Sequence, residues 1–139
     1  MKFCSACGSD KLELRVPEGD NRARNVCADC GTIHYENPKT VVGCIVEVGE
    51  QLLLCERAIE PRSGFWTVPA GFLENDETTA EGALRETYEE AKARVRMLRP
   101  FAHLDIPHIA QNYVLFLTRL EDGHFGPGEE RSRVELFSL

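Results

Sequence analysis

The chain has 139 residues, of which 42% are hydrophobic and 28% charged, which is the composition of a soluble globular protein. This length allows one ordinary domain and a small appendage. The net charge of −7 excludes a broad electrostatic footprint for nucleic acid, although not a local basic patch. No apolar run is long enough for a membrane span, and residues 1–4 have no apolar region typical of a signal peptide, so we expect a cytoplasmic protein.

Two Cys-x-x-Cys pairs lie near the amino terminus, separated by 19 residues: Cys4 with Cys7, and Cys27 with Cys30. Each pair can place two thiolates on one ion, and the spacing predicts a zinc ribbon over residues 1–34 with a closed, structural Zn²⁺ site. Redox-active or merely buried thiols are the alternative. Residues 1–30 carry five basic and five acidic side chains, so they offer no basic stripe for phosphates. The four histidines show no metal-ligand spacing, and we assign them no chemistry.

A connector with an Asn37-Pro38 turn signal precedes a second domain, expected over residues 38–139. The patterning predicts strands at 41–48, 51–58, 65–68, 95–98, 102–106 and 112–120. Residues 78–92 predict the one clear helix, which begins with a capping box formed by Thr78 and Glu81. Its apolar stripe comprises Ala80, Ala83, Leu84, Thr87, Tyr88 and Ala91. Cys44 and Cys55, inside apolar runs, are expected to be buried free thiols.

Three glutamates lie close together on this helix, on the face away from the apolar stripe: Glu86, Glu89 and Glu90. At about 100° per residue, Glu86 lies about 40° from Glu90 and about 60° from Glu89. Carboxylates this close repel one another unless a cation lies among them, and Mg²⁺ takes oxygen ligands of this kind. Arg85 is placed to brace the cluster from one side. A solvated acidic helix face is the alternative.

The sequence of residues 71–93, GFLENDETTAEGALRETYEEAKA, resembles the Nudix box. The matching positions are Gly71, Glu77, Arg85, Glu86, Glu89 and Glu90. The resemblance implies an α+β fold, the α/β/α Nudix sandwich with a mixed sheet, in which this segment forms a loop-helix-loop. It also implies that the three helix glutamates and the Gly71 carbonyl bind catalytic Mg²⁺ or Mn²⁺, with Arg85 and Glu77 in the same machinery. Lys92 departs from the pattern, because the box has a glycine there to end the helix.

The reaction implied by the family is metal-dependent attack of water on a pyrophosphate. Glu86 or Glu90 is the implied partner of that water, and the choice between them stays open. Glu130 resembles a family glutamate near the last strand, whereas Arg133 stands where the family often has another glutamate.

A zinc ribbon before a Nudix domain is similar to two groups. The NADH pyrophosphatases carry a Ser-Gln-Pro-Trp-Pro-Phe-Pro motif after the box, where this chain has RPFAHLDIPH at residues 99–108. The plant chloroplast FAD diphosphatase type and its bacterial relatives resemble the chain from Cys4 almost to its end, including CSACG, VCADCG, YENPK, VVGCIVE, LLLCERAIEP, GFWTVPAGFLE, FAHLDIP and QNYVLFL. This second resemblance implies a small-molecule substrate, FAD or ADP-ribose, cleaved to AMP and FMN or ribose 5-phosphate.

The alternatives are an NADH or NAD-capped RNA pyrophosphatase and, in another class, a ribbon-based nucleic-acid-binding protein with an inactive Nudix domain. Candidate substrate contacts are Arg57, Trp66, Asp105, Gln111, Tyr113 and Glu130. Each has an ordinary alternative: surface charge for Arg57, core packing for Trp66 and Tyr113, and a turn or strand-end role for Asp105 and Gln111. The closing helix usual in this architecture would begin at about residues 137–139, where the chain stops, and a homodimer is the expected assembly.

Overall fold

The computed structural model describes residues 1–58, 60, 62–129 and 131–139, which divide into two units, Met1–Asn37 and Pro38–Leu139. In the first unit, β1 (Leu12–Arg15), β2 (Arg24–Cys27) and β3 (Ile33–His34) form an antiparallel sheet in that order. Its buried residues are two metal-ligand candidates, one valine and one proline: Cys4, Cys27, Val26 and Pro17. A core this small needs a further crosslink, which a bound metal supplies.

The described part of the second unit is a mixed seven-stranded sheet with one α-helix. Its strands are β4 (Lys39–Val48), β5 (Gln51–Arg57), β6 (Trp66–Thr67), β7 (Ala70–Phe72), β8 (Val95–Ile106), β9 (Gln111–Leu120) and β10 (Arg131–Ser138). The order is β10-β5-β4-β9-β8, with β6 on β5 and β7 on β4. Among the described strands, β4 and β9 are the one pair that is parallel. The expected mixed sheet with a loop-helix-loop is confirmed.

The hairpin of β4 and β5 turns at Gly49, whose φ of 63° is in the left-handed region that glycine tolerates. Residues 95–106, expected to be two strands, form one strand interrupted by register shifts next to Arg99 and before Ala102. Pro100 lies between those shifts. It is tolerated there because β8 is at the edge of the sheet and the pairing is irregular at this point, and proline in a sheet is accepted at edges and bulges.

The one α-helix, α1, spans Thr79–Ala91 and begins with the predicted capping box between Thr78 and Glu81. Lys92 ends it with φ 49° and donates its N–H to the Tyr88 carbonyl, so lysine adopts the left-handed conformation expected of the family's glycine. Tyr88, assigned above to the apolar stripe, is instead 41% exposed. Its ring lies beneath the cations of Lys92 and Arg94, which explains why it stays at the surface.

The core lies between α1 and one face of the sheet. It contains Val42, Cys44, Val46, Leu53, Cys55, Ala83, Ala91, Ala93 and Phe116. Cys44 donates its thiol hydrogen to the Ala83 carbonyl of α1, and both Cys44 and Cys55 are fully buried thiols, as expected. Because side chains alternate along a strand, Ile45 on β4 and its partner Leu117 on β9 point to the opposite face, where both are only half-buried.

The end of the chain forms a strand where the sequence suggested the start of a closing helix. β10 runs to Ser138 and pairs antiparallel with β5, with Phe137 opposite Leu52. The correction has a local cause, since Val134 and Leu136 alternate with charged neighbours and turn inward onto the core. No helix within the described ranges is both long and apolar enough to cross a membrane.

Candidate active site and zinc centre

Gly71 on β7 lies close to the carboxyl group of Glu86 on α1. It pairs with Val42 on β4, which fixes its position against α1. A Cβ atom built on Gly71 would collide with the carboxyl group of Glu86 at its carbon and both oxygens. Glycine is therefore required here to let a carboxylate approach the backbone closely.

Arg85 organises the acidic residues around this point. Its Nη2 and Nε donate to the two carboxylate oxygens of Glu77 at 2.7 and 3.0 Å. Its Nη1 donates to Glu86 at 3.0 Å and to Glu89 at 3.2 Å, and Nη2 also donates to the Phe72 carbonyl. The predicted bracing role of Arg85 agrees with these contacts, and it extends to Glu77 in the loop before the helix.

The three helix glutamates differ in exposure, which the helical projection did not indicate. The Glu89 side chain is 56% exposed, that of Glu86 is 12% exposed, and Glu90 is a buried residue at 8%. Glu90 is enclosed because the Ala70 N–H donates to its Oε2 at 3.0 Å and the Gly128 N–H donates to its backbone carbonyl. The three carboxylates line one pocket together with Lys92 and Glu129.

Glu129 was missed by sequence reasoning, which singled out Glu130 from the same Glu-Glu pair. Glu130 lies outside the described residues. The sequence signal for Glu129 is its position after Gly128. In the structure, a Cβ atom on Gly128 would collide with the backbone carbonyl of Glu89, so glycine is needed there. That glycine brings the segment against the end of α1 and places Glu129 at the pocket.

The electrostatics of the cluster divide it into two parts. Hydrogen bonds from Arg85 and from the Glu74 N–H lower the pKa of Glu77 to about 2. Burial raises the pKa of Glu86 above its usual value, and the charges of Glu90 and Glu89 add to this, against the opposing effect of Arg85. Glu77 is thus a stable counter-ion for Arg85, whereas Glu86 is a carboxylate whose charge the protein alone does not fully compensate.

This arrangement fits a divalent cation. Crowded carboxylates, of which that of Glu86 is largely buried and has a raised pKa, are the hard oxygen ligands that Mg²⁺ and Mn²⁺ prefer, and a cation among them would remove the repulsion. The space at Gly71, which a Cβ would fill, leaves its backbone beside the same carboxylate. Glu86, Glu89, Glu90 and the Gly71 carbonyl are therefore the group that would hold the metal.

The four paired cysteines converge in the first unit. Their Sγ atoms all lie within 4.8 Å of one another, with 3.7 Å between Cys4 and Cys30 and 3.6 Å between Cys7 and Cys27. A tetrahedral zinc ion with Zn–S bonds of 2.3 Å requires S–S separations of about 3.8 Å. The cluster therefore fits structural Zn²⁺, with all four ligand positions supplied by the chain.

The proposed substrate contacts have mixed surroundings. Trp66 packs edge-on against Phe137 at 4.9 Å and lies beneath the Arg133 guanidinium, which agrees with the packing alternative. Tyr113 and Gln111 form a hydrogen bond with each other at 3.2 Å, at the start of β9. Asp105 is exposed and lies 3.1 Å from His103, while Arg57 ends β5 half-buried. None of these five residues lines the pocket of the glutamates in the described part of the chain.

Comparison with known proteins agrees with this site. Residues 2–36 match the Nudix N-terminal zinc-ribbon family and residues 37–139 match the NUDIX domain family. A NUDIX hydrolase from Nitrosomonas europaea is 54% identical with a TM-score of 0.94, over 99% of this chain and 78% of that one.

Two further relatives have named activities. The NAD-capped RNA hydrolase NudC of Vibrio atlanticus is 33% identical over 100% of this chain and 50% of its own length. An ADP-ribose pyrophosphatase from Streptococcus suis is 28% identical with a TM-score of 0.63, over 73% of this chain and 75% of that one. The chain spans about half the length of the curated relatives that it matches. By these matches and by its glutamate helix, the chain belongs to the Nudix hydrolase family and carries that family's amino-terminal zinc ribbon.

Proposed function

We propose that this protein is a Mg²⁺- or Mn²⁺-dependent pyrophosphatase that hydrolyses a nucleoside diphosphate linked to another group. The observation that carries the proposal is the convergence of Glu86, Glu89 and Glu90 on one pocket beside Gly71. A solvated acidic face would leave all three carboxylates in water, yet two of them are largely buried. Buried like charges are costly unless a ligand compensates them.

The residues of the site have different roles in this proposal. Glu86 and Glu90, held on α1 and enclosed by β7 and the Gly128 segment, are the fixed ligands and the two candidates for accepting a proton from the attacking water. Arg85 keeps Glu86 and Glu89 oriented while Glu77 neutralises its remaining charge. The bound metal supplies charge neutralisation for the pyrophosphate and a lowered pKa for bound water. Lys92 and Glu129, at the rim of the pocket, are placed to face the substrate.

FAD and ADP-ribose are the proposed substrates. The resemblance to the FAD diphosphatase type extends along most of the chain, and residues 99–108 lack the nicotinamide-associated motif. The relative from Streptococcus suis named as an ADP-ribose pyrophosphatase supports the second of these substrates. The reaction would yield AMP together with FMN or ribose 5-phosphate.

NAD-capped RNA or NADH is the second candidate substrate. It is supported by curated relatives named NAD-capped RNA hydrolase NudC, whose similarity covers both the ribbon and the Nudix domain of this chain. A nucleic-acid-binding protein with an inactive Nudix domain is a third candidate, against which the complete glutamate set argues.

The test is product chromatography after incubating the full chain and Mg²⁺ with FAD, ADP-ribose, NADH or a short NAD-capped RNA in separate reactions. Glu89→Gln serves as the inactive variant and Glu13→Gln, on an exposed strand of the first unit, as the matched control. AMP formed from FAD or ADP-ribose by the wild type and Glu13→Gln, but not by Glu89→Gln, supports the proposal. Cleavage of NADH or capped RNA alone would overturn the substrate assignment. No cleavage by zinc-loaded, folded protein would favour the binding-protein alternative.

A homodimer is the proposed assembly. Its support is the sheet face away from α1, where Ile45, Leu115 and Leu117 are only half-buried. Sedimentation equilibrium tests it: a mass of one chain, 15.6 kDa, across the micromolar range would refute it.

A further inference from the structure

His34 approaches the zinc centre although its position in the sequence shows no ligand spacing. It is the last residue of β3, where it pairs with Asn25 of β2. This pairing places the imidazole Nε2 3.3 Å from the Sγ of Cys4, thirty residues earlier in the chain. The contact is therefore a product of the ribbon's sheet and not of a local motif.

The other sulfurs of the cluster receive hydrogen bonds from their own loops. The Cys30 N–H approaches Cys27 Sγ at 3.5 Å, and the Thr32 hydroxyl lies 3.0 Å from Cys30 Sγ. The Ser9 N–H donates a hydrogen bond to the Cys7 sulfur. Such donors disperse the charge of metal-bound thiolates and fix their orientation.

Cys4 differs from these three cysteines in the source of its hydrogen bond. Like Cys27 it is almost fully buried, at 2% exposed, so water has little access to its sulfur. Among the described residues outside the four cysteines, His34 is the one that forms a hydrogen bond with Cys4 Sγ. A metal-bound thiolate is an acceptor only, which selects the imidazole tautomer that carries its proton on Nε2.

We propose that His34 is a positioning residue of the zinc site, whose Nε2–H donates to the Cys4 thiolate and determines how firmly the ribbon retains its metal. It is not itself a ligand in this proposal. The four sulfurs that can share one ion form a closed group without it, at separations that suit tetrahedral zinc. The inference depends on zinc binding by the ribbon and is independent of the proposed hydrolase activity.

The test compares His34→Ala, His34→Gln and His124→Ala in the full chain. His124 is the matched control because its side chain is 88% exposed, far from any cysteine in the sequence. Glutamine retains an N–H donor near the position of the imidazole Nε2. The readout is the rate at which zinc passes to a coloured chelator, together with the absorption spectrum of the Co²⁺-substituted protein.

We expect zinc transfer from His34→Ala to be roughly 10- to 100-fold faster than from wild type. The glutamine variant should recover much of this loss, and His124→Ala should match wild type. The sulfur-to-cobalt charge-transfer bands of His34→Ala should shift to lower energy at the intensity of four thiolates. The donor role would be refuted if His34→Ala released zinc at the wild-type rate, or if the alanine and glutamine variants released zinc at the same rate. A cobalt spectrum indicating three thiolates and one nitrogen in wild type would refute it as well, because His34 would then be a ligand.

Discussion

Replacing Gly71 with alanine tests the geometry of the glutamate site most directly. The added Cβ would overlap the carboxyl group of Glu86, whereas unstrained carbon contacts need about 3.5–4.0 Å. The carboxylate must therefore move by about 1 Å. A displacement of this size at a reacting centre costs about 100-fold in rate, which is about 2.7 kcal/mol of transition-state stabilisation. We expect kcat/KM for ADP-ribose to fall by about this factor.

The fold should tolerate the same change. Overpacking costs about 1–3 kcal/mol, and the reduced freedom of the unfolded chain returns about 0.4–1 kcal/mol. The protein should remain folded at 25 °C, and Mn²⁺ binding, followed by electron paramagnetic resonance, should weaken in parallel with activity. Gly126→Ala is the control, because a Cβ there meets nothing within 4 Å and the residue has no positive φ. If Gly71→Ala stays within about threefold of wild type in both assays, the close approach of Glu86 to this backbone is not needed for the site.

Four other perturbations test the cluster and the ribbon. Arg85→Lys keeps the charge but loses the paired donation to Glu77, so Tm should fall by roughly 5–10 °C in calorimetry, and an unchanged Tm would contradict this bracing. Glu77, with its depressed pKa of about 2, stabilises the fold fully above pH 4.5 and loses this effect between pH 4.5 and 2. The stability difference between wild type and Glu77→Gln in urea should therefore shrink across that window, and a constant difference would refute it. Because burial raises the pKa of Glu86, its charge destabilises the metal-free fold at pH 7. Glu86→Gln should therefore have a higher Tm than wild type without metal, and adding Mg²⁺ should not raise that Tm further. A lower Tm for the metal-free variant than for wild type would refute this. Removing zinc should open residues 1–37 to limited proteolysis and leave a fragment of residues 38–139, identified by mass spectrometry; unchanged resistance would argue against a structural metal.

The features predicted well from sequence were those with local causes. The capping box of Thr78 and Glu81 is specified by residues within one turn of the helix terminus. The hairpin around Gly49 and the two cysteine pairs are likewise encoded by short spacings. The three helix glutamates alone did not distinguish a metal site from a solvated acidic face. The resemblance to the Nudix box was needed for that distinction.

The features that were missed depend on contacts between distant segments. Glu90 is buried because β7 and the Gly128 segment close over the end of α1, which a helical projection cannot show. His34 reaches the cysteine cluster only through the register of β3 on β2. The strand at the carboxyl end was mistaken for the start of a helix because family architecture, not the alternation of Val134 and Leu136, guided that expectation.

The parallel pairing of β4 with β9 has a consequence for how the protein is made. Lys39 pairs with Gln111, so the centre of the sheet cannot close until roughly 70 further residues have left the ribosome, about 4–14 s at ordinary rates of synthesis. The first unit is complete before that interval begins and can take up zinc while the rest is being translated. Once α1 has emerged, it has no finished sheet to cover its apolar side until β9 follows. Early occupation by a chaperone, or a pause in translation beyond residue 120, would therefore alter the yield of active protein without changing any residue of the site.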